Sequence, residues 1–124
     1  MSVGNNAGPA RAVLFTNQTA IGSENVPFDA SSYTNLTFYI IGTGTINGGT
    51  ILLEECDYDG AEDAPYGGTW ALIGTITATS VTGNVQSAYH AVSSGGSFAF
   101  GFVPPRITGT ITGGGSVSVV LRAV

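Results

Sequence analysis

Whatever chemistry this 124-residue chain performs must come from few reactive side chains: one histidine, one cysteine, three arginines, eight carboxylates and no lysine. His90 could serve a hydrolase only with a nucleophile beside it and a carboxylate to orient it. No G-x-S-x-G elbow or similar serine context occurs, so His90 reads as a structural or surface residue of a strand. Cys56 has no basic neighbour in sequence to favour its thiolate, and it reads as a small apolar filler. One Cys and one His fall short of the four ligands of a zinc site. The glycine-rich turns lack the lysine and following helix of a phosphate loop. No catalytic residue is nominated, and neither an enzyme nor a cofactor is expected.

The acidic run is more site-like. Glu54, Glu55, Asp57, Asp59, Glu62 and Asp63 fall within ten residues, with Gly60 in their midst. Asp57-x-Asp59-Gly60 has the look of part of a calcium loop, where hard oxygen ligands converge on a tight turn. Asp57, Asp59, Glu62 and Asp63 would be the ligands. The spacing does not complete an EF-hand and no helix is expected on either side, so a solvated hairpin loop accounts for the same residues. Tyr58, Tyr66 and Trp70 bracket this loop. Aromatic rings beside carboxylates can stack on a sugar and bind its hydroxyls; equally, Trp70 can open the next strand and cover an edge of the core.

The elements that would carry these residues are short and extended. At this length the chain makes one domain with a core large enough to need no disulfide or metal. Charged residues are only 9% of the chain, against about 25% in ordinary soluble domains. A surface of Thr, Ser, Asn and Gly is either covered by neighbours or solvated through hydroxyls and amides. The net charge of −5, with only Arg11, Arg106 and Arg122 as fixed cations, argues against nucleic acid and against an anionic membrane. A lone cysteine gives no sign of oxidative export, no signal peptide is expected at Met1 to Pro9, and the apolar runs are strand-sized. The Asn17 and Asn35 sequons therefore read as chance.

Met1 to Arg11 reads as a flexible arm, and residues 12–124 as the folded domain. A first strand is expected at Ala12 to Thr16, then a loop from Ile21 to Ser32. Leu36, Phe38 and Ile40 alternate with Thr37, Tyr39 and Ile41, apolar enough on both faces for a central strand. Strands follow at Thr50 to Cys56, at Thr69 to Thr79 (Trp70, Leu72 and Ile76 on one face, Ile73 on the other) and at Asn84 to Val92. Phe98, Phe100 and Phe102 alternate with small residues up to Pro104 and Pro105. Arg106 to Thr112 and Ser116 to Ala123 look like a closing hairpin across Gly113 to Gly115, with Val117, Val119, Leu121 and Ala123 inward. The fold class is all-β: an antiparallel sandwich of about seven or eight strands, immunoglobulin-like or jelly-roll in its connections. The segment Thr43 to Thr50 echoes Thr108 to Gly115, either as a pseudo-repeat of two hairpins or because β-turns favour Gly and Thr.

Three stretches carry a family resemblance: Asn47-Gly48-Gly49-Thr50-Ile51-Leu52-Leu53-Glu54-Glu55-Cys56-Asp57-Tyr58-Asp59-Gly60, Thr69-Trp70-Ala71-Leu72-Ile73-Gly74, and Pro105-Arg106-Ile107-Thr108-Gly109 with Gly115-Ser116-Val117-Ser118-Val119-Val120-Leu121. Over about Asn35 to Val124 the chain resembles the small β-sandwich virion proteins of tailed bacteriophages, including head decoration (cement) proteins. Cys56 stands where a serine or similar small residue is usual, and the loop from Gly60 to Gly68 is long for the pattern. The resemblance implies a capsid decoration protein, made in the host cytoplasm and placed on the capsid surface of the virion. It would bind and stabilise the major capsid protein shell, as a homo-trimer or other homo-oligomer. The arm would then be the clamp, with Val3, Asn5, Asn6, Pro9 and Arg11 as contact residues. The alternative is a tail- or fibre-associated β-domain that binds host surface carbohydrate through Tyr58, Tyr66 and Trp70.

Overall fold

A computed structural model describes residues 9–20, 22–23, 28, 30, 33–56, 70–92 and 105–124. The strands among them are β1 (Ala10–Gln18), β2 (Gly22–Ser23), β3 (Asn35–Thr43), β4 (Gly48–Cys56), β5 (Trp70–Thr77), β6 (Gln86–Val92), β7 (Pro105–Thr112) and β8 (Ser116–Ala123). Only a single 3-10 turn, Ala78–Val81, interrupts the extended chain among the described residues. β1 begins at Ala10, so Ala10 and Arg11 belong to a strand and not to the expected arm.

The strands form two antiparallel sheets, ordered β1-β8-β3-β6 (sheet one) and β2-β7-β4-β5 (sheet two). β1 pairs with β8, β2 with β7, β3 with β6 and β4 with β5. The first four strands thus run back along the last four as one long hairpin, and successive rungs of that hairpin alternate between the sheets. This is jelly-roll connectivity, and it decides between the two sandwich topologies that strand patterns alone left open.

Alternation explains which side chains meet between the sheets. Leu36, Phe38 and Ile40 of β3 and Val117, Val119, Leu121 and Ala123 of β8 are all buried, facing Ile51, Leu53 and Ile107 of sheet two. β3 lies between β8 and β6, as its two apolar faces predict. Register shifts occur in the β1–β8, β4–β5 and β4–β7 pairings, and in β1 and β5 they change which side chains face the core. In β1 a register shift between Val13 and Phe15 lets the consecutive Leu14 and Phe15 both face the core. In β5, Leu53 pairs with Gly74 but Glu54 with Leu72, leaving Ile73 as a bulge. Ile73 and Ile76 therefore pack on the core while Leu72 is 61% exposed, which corrects the expected grouping of Leu72 with Ile76.

The expected closing hairpin does not form. β7 lies in sheet two and β8 in sheet one, so Gly113 to Gly115 turn a corner between sheets. The echoing segment near Thr43 to Thr50 also joins strands of different sheets, β3 and β4. Neither copy is a hairpin, and the two corners lie side by side. The N–H of Asn47 donates to the carbonyl of Thr112 (2.8 Å), and the matching Ile46 and Ile111 are both buried. The β5–β6 connection meets them at the same end. There the Gly44 N–H donates to the Asn84 side-chain oxygen (3.0 Å), and the Ile46 N–H to the Thr82 hydroxyl (2.8 Å). Asn84 holds φ 64, a conformation asparagine tolerates better than most residues.

Candidate functional site

Most residues singled out from the sequence lie outside the described residues: Val3, Asn5 and Asn6 of the arm, Asp57, Asp59, Glu62 and Asp63 of the candidate calcium set, and Tyr58 and Tyr66 of the candidate sugar face. The same holds for Phe98, Phe100 and Phe102. Trp70 is placed by its backbone alone, opposite Cys56 where β4 and β5 leave the loop between them. Glu54 does not share the solvated character read for the acidic run; it is buried in β4, while Glu55 is half-buried. Among the described residues no group of three His, Cys, Asp or Glu is placed to hold a metal ion.

The structure brings together a different set, on the outer face of sheet one. Strand alternation sends Arg11 and Val13 of β1, Val120 and Arg122 of β8, Thr37, Tyr39 and Ile41 of β3, and Gln86, Ala88, His90 and Val92 of β6 to that face. Register then sorts them into rows. Arg11 pairs with Arg122, Arg122 with Thr37, and Thr37 with His90. One step along, Val13 pairs with Val120, Val120 with Tyr39, and Tyr39 with Ala88. A cationic and polar row therefore borders an apolar row with an aromatic ring in it. An open depression of about 190 Å³ spans the rows, lined by Arg11, Tyr39, Ile41, Gln86 and Val120.

Two of the three arginines of the molecule stand directly across from one another here, and both are exposed. Like charges at directly opposed strand positions are unfavourable, by roughly 1 kcal/mol at 4 Å in water. Neither arginine makes an ion pair among the described residues. The strands of sheet one contain no acidic residue at all, whereas six of the eight acids lie between Glu54 and Asp63. The Thr37 hydroxyl and His90 Nδ1 share a hydrogen bond of 2.9 Å, which fixes the far end of the row.

No family model and no curated protein matches the chain. The chemistry of the face must therefore speak for itself. Two guanidinium groups side by side can take both oxygens of a carboxylate in forked hydrogen bonds. Tyr39, Val13, Ile41 and Val120 beside them offer dry contact area. Arginine and tyrosine are enriched, and lysine, aspartate and glutamate depleted, at protein–protein contacts in general. Sequence reasoning named Arg11 but not Arg122, His90 or Tyr39 as neighbours, because the pairing of β1 with β8 and of β8 with β3 spans most of the chain. Acids are absent from every strand but β4, so their absence from these four did not mark the face beforehand.

Proposed function

We propose that the chain is a virion structural protein of the capsid decoration type, which binds and stabilises the major capsid protein shell. The observation that carries this reading is the outer face of sheet one, whose strands hold no acid and where Arg11 and Arg122 stand opposed, without an ion pair among the described residues, beside Val13, Val120 and Tyr39. Such a face suits an acidic, partly apolar protein surface. The resemblance of Asn35 to Val124 to small phage virion proteins supports the same reading, as does a jelly-roll fold, which serves viral capsid and lectin domains alike. The fold by itself does not choose among such roles. A decoration protein works by surface complementarity and needs no catalytic group, in keeping with the scarcity of reactive side chains.

The test is co-sedimentation with undecorated shells of the phage whose particles carry this chain. Wild-type protein pellets with the shells at a saturating, symmetry-related copy number. The double variant Arg11→Gln, Arg122→Gln loses most of that binding yet melts no lower than wild type, because removing two opposed like charges does not weaken the sheet. Failure of the wild type to bind shells would sink the decoration reading. Undiminished binding by the double variant would sink the assignment of the face.

A further inference from the structure

Each sheet of the sandwich has two edges, and three of the four carry a device that blocks pairing with another chain. β2 covers two residues, Gly22–Ser23, among the described residues. β5 is bent by its bulge at Ile73. β1 follows Pro9, carries Arg11 and is broken twice in register. β6 has none of these. Its seven residues, Gln86–Val92, contain no proline, glycine, lysine, arginine or acid, and they pair with β3 in unbroken register from Asn35–Val92 to Ile41–Gln86.

The ladder also fixes which backbone groups β6 leaves open. The Gly42 N–H donates to the Val85 carbonyl (2.9 Å), and on the other side of β3 Asn35 exchanges hydrogen bonds with Val124. Alternation then commits Ser87, Tyr89 and Ala91 to β3. It turns the N–H and C=O of Gln86, Ala88, His90 and Val92 to the outer edge, where no strand pairs with them among the described residues.

We infer that β6 is a self-association edge: two copies of this chain pair antiparallel through β6 about a two-fold axis, extending sheet one into a continuous eight-stranded sheet. The strand is complementary to itself in the register centred on Tyr89. Gln86 then faces Val92 of the second copy and Ala88 faces His90, so the open groups pair with one another. No like charges are opposed, although each copy carries −5. Tyr89 meets its own counterpart at the axis, as a close cross-strand aromatic pair. Glu54 and Glu55 lie in β4, and neither paired strand contains an acid. Such an interface is isologous and closes at two copies. It also turns both outer faces of sheet one to the same side. If the decoration reading holds, the dimer is therefore a bivalent binder, with two Arg11–Arg122 rows on one surface. The dimer itself does not depend on that reading.

Sedimentation velocity on the isolated protein, without shells, tests it. Wild-type protein shows a concentration-dependent dimer. Ala88→Pro removes an N–H that β3 does not use, which an edge strand tolerates, and weakens the dimer about thirtyfold through the two donors lost. Ala88→Lys places a charge on the exposed face of the edge strand and acts in the same direction. Circular dichroism of both variants remains that of the wild type. A wild type that stays monomeric at every concentration overturns the inference. So does a dimer or trimer unmoved by both substitutions, or loss of fold in both, which would mean that the Ala88 N–H is not on an open edge.

Discussion

A methyl group separates Gly42 from alanine, yet a Cβ at this buried position of β3 would overlap the carbonyl oxygen of Val81 in the 3-10 turn. Backbone cannot swing aside as a side chain can, so β3 or the turn would have to move. Gly42→Ala should therefore cost about 3 kcal/mol in urea unfolding. Gly83 makes the contrast, since a Cβ there meets nothing within 4 Å and only its φ of 80° resists substitution. Gly83→Ala should cost about 1 kcal/mol. If the two variants unfold alike, close approach is not what Gly42 provides. In sequence, Gly42 is one of 19 glycines in a Thr- and Gly-rich stretch and nothing sets it apart. The inward residues of β3 and β8 were legible because Leu36, Phe38, Ile40 and Val117, Val119, Leu121 repeat at the period of a strand. Leu72 was misread for the converse reason: the bulge at Ile73 shifts the phase, and a bulge leaves no mark in a hydrophobic pattern.

Between the sheets, one side chain links β5 and β6. Tyr89 lies half-buried on the core side of β6, and its hydroxyl donates to the Ile73 carbonyl (3.1 Å), the bulged residue of β5. Gly74 leaves room for the ring, since a Cβ there would run into it. Tyr89→Phe keeps the ring and removes that bond, so it should lower stability by about 1 kcal/mol without changing the sheets, measured by thermal unfolding. No loss at all would mean that the bond contributes nothing beyond the burial of the ring. This link between sheets could not be read beforehand, nor could the order of strands. Alternation states which face of a strand is buried but not which strand lies beside it. The closing segment shows the consequence. Pro105 to Thr112 and Ser116 to Ala123, joined by three glycines, have the outline of a hairpin in sequence. They part into different sheets because β8 pairs with β1 and β3 while β7 pairs with β2 and β4. The candidate face was hidden for the same reason, since Arg11 and Arg122 come together only through the pairing of first and last strands.

Along the whole sequence, charge is unevenly distributed. The strands of sheet one carry Arg11, Arg122 and no acid, while β4 and the residues up to Asp63 hold six of the eight acids. This distribution gives the two proposed contacts opposite responses to salt. Docking of the arginine row on an acidic surface is an attraction between exposed charges. Raising ionic strength from about 0.01 M to about 1 M shortens the screening length from roughly 30 Å to 3 Å, so shell binding should weaken. Pairing through β6 relies on backbone hydrogen bonds and uncharged side chains, and each partner brings a net charge of −5. Screening relieves that repulsion, so the dimer should hold or strengthen over the same range. Sedimentation with and without shells across a salt series reads both responses in one preparation. In the Arg11→Gln, Arg122→Gln variant, what shell binding remains should lose its salt dependence while the dimer keeps its own. A dimer that dissolves as salt rises would mean that the copies are held by charge, with the arginine row of one copy against the acids of the next. Such a head-to-tail contact would replace the β6 edge as the site of self-association, and it would leave the arginines of an assembled chain occupied and unable to meet a shell.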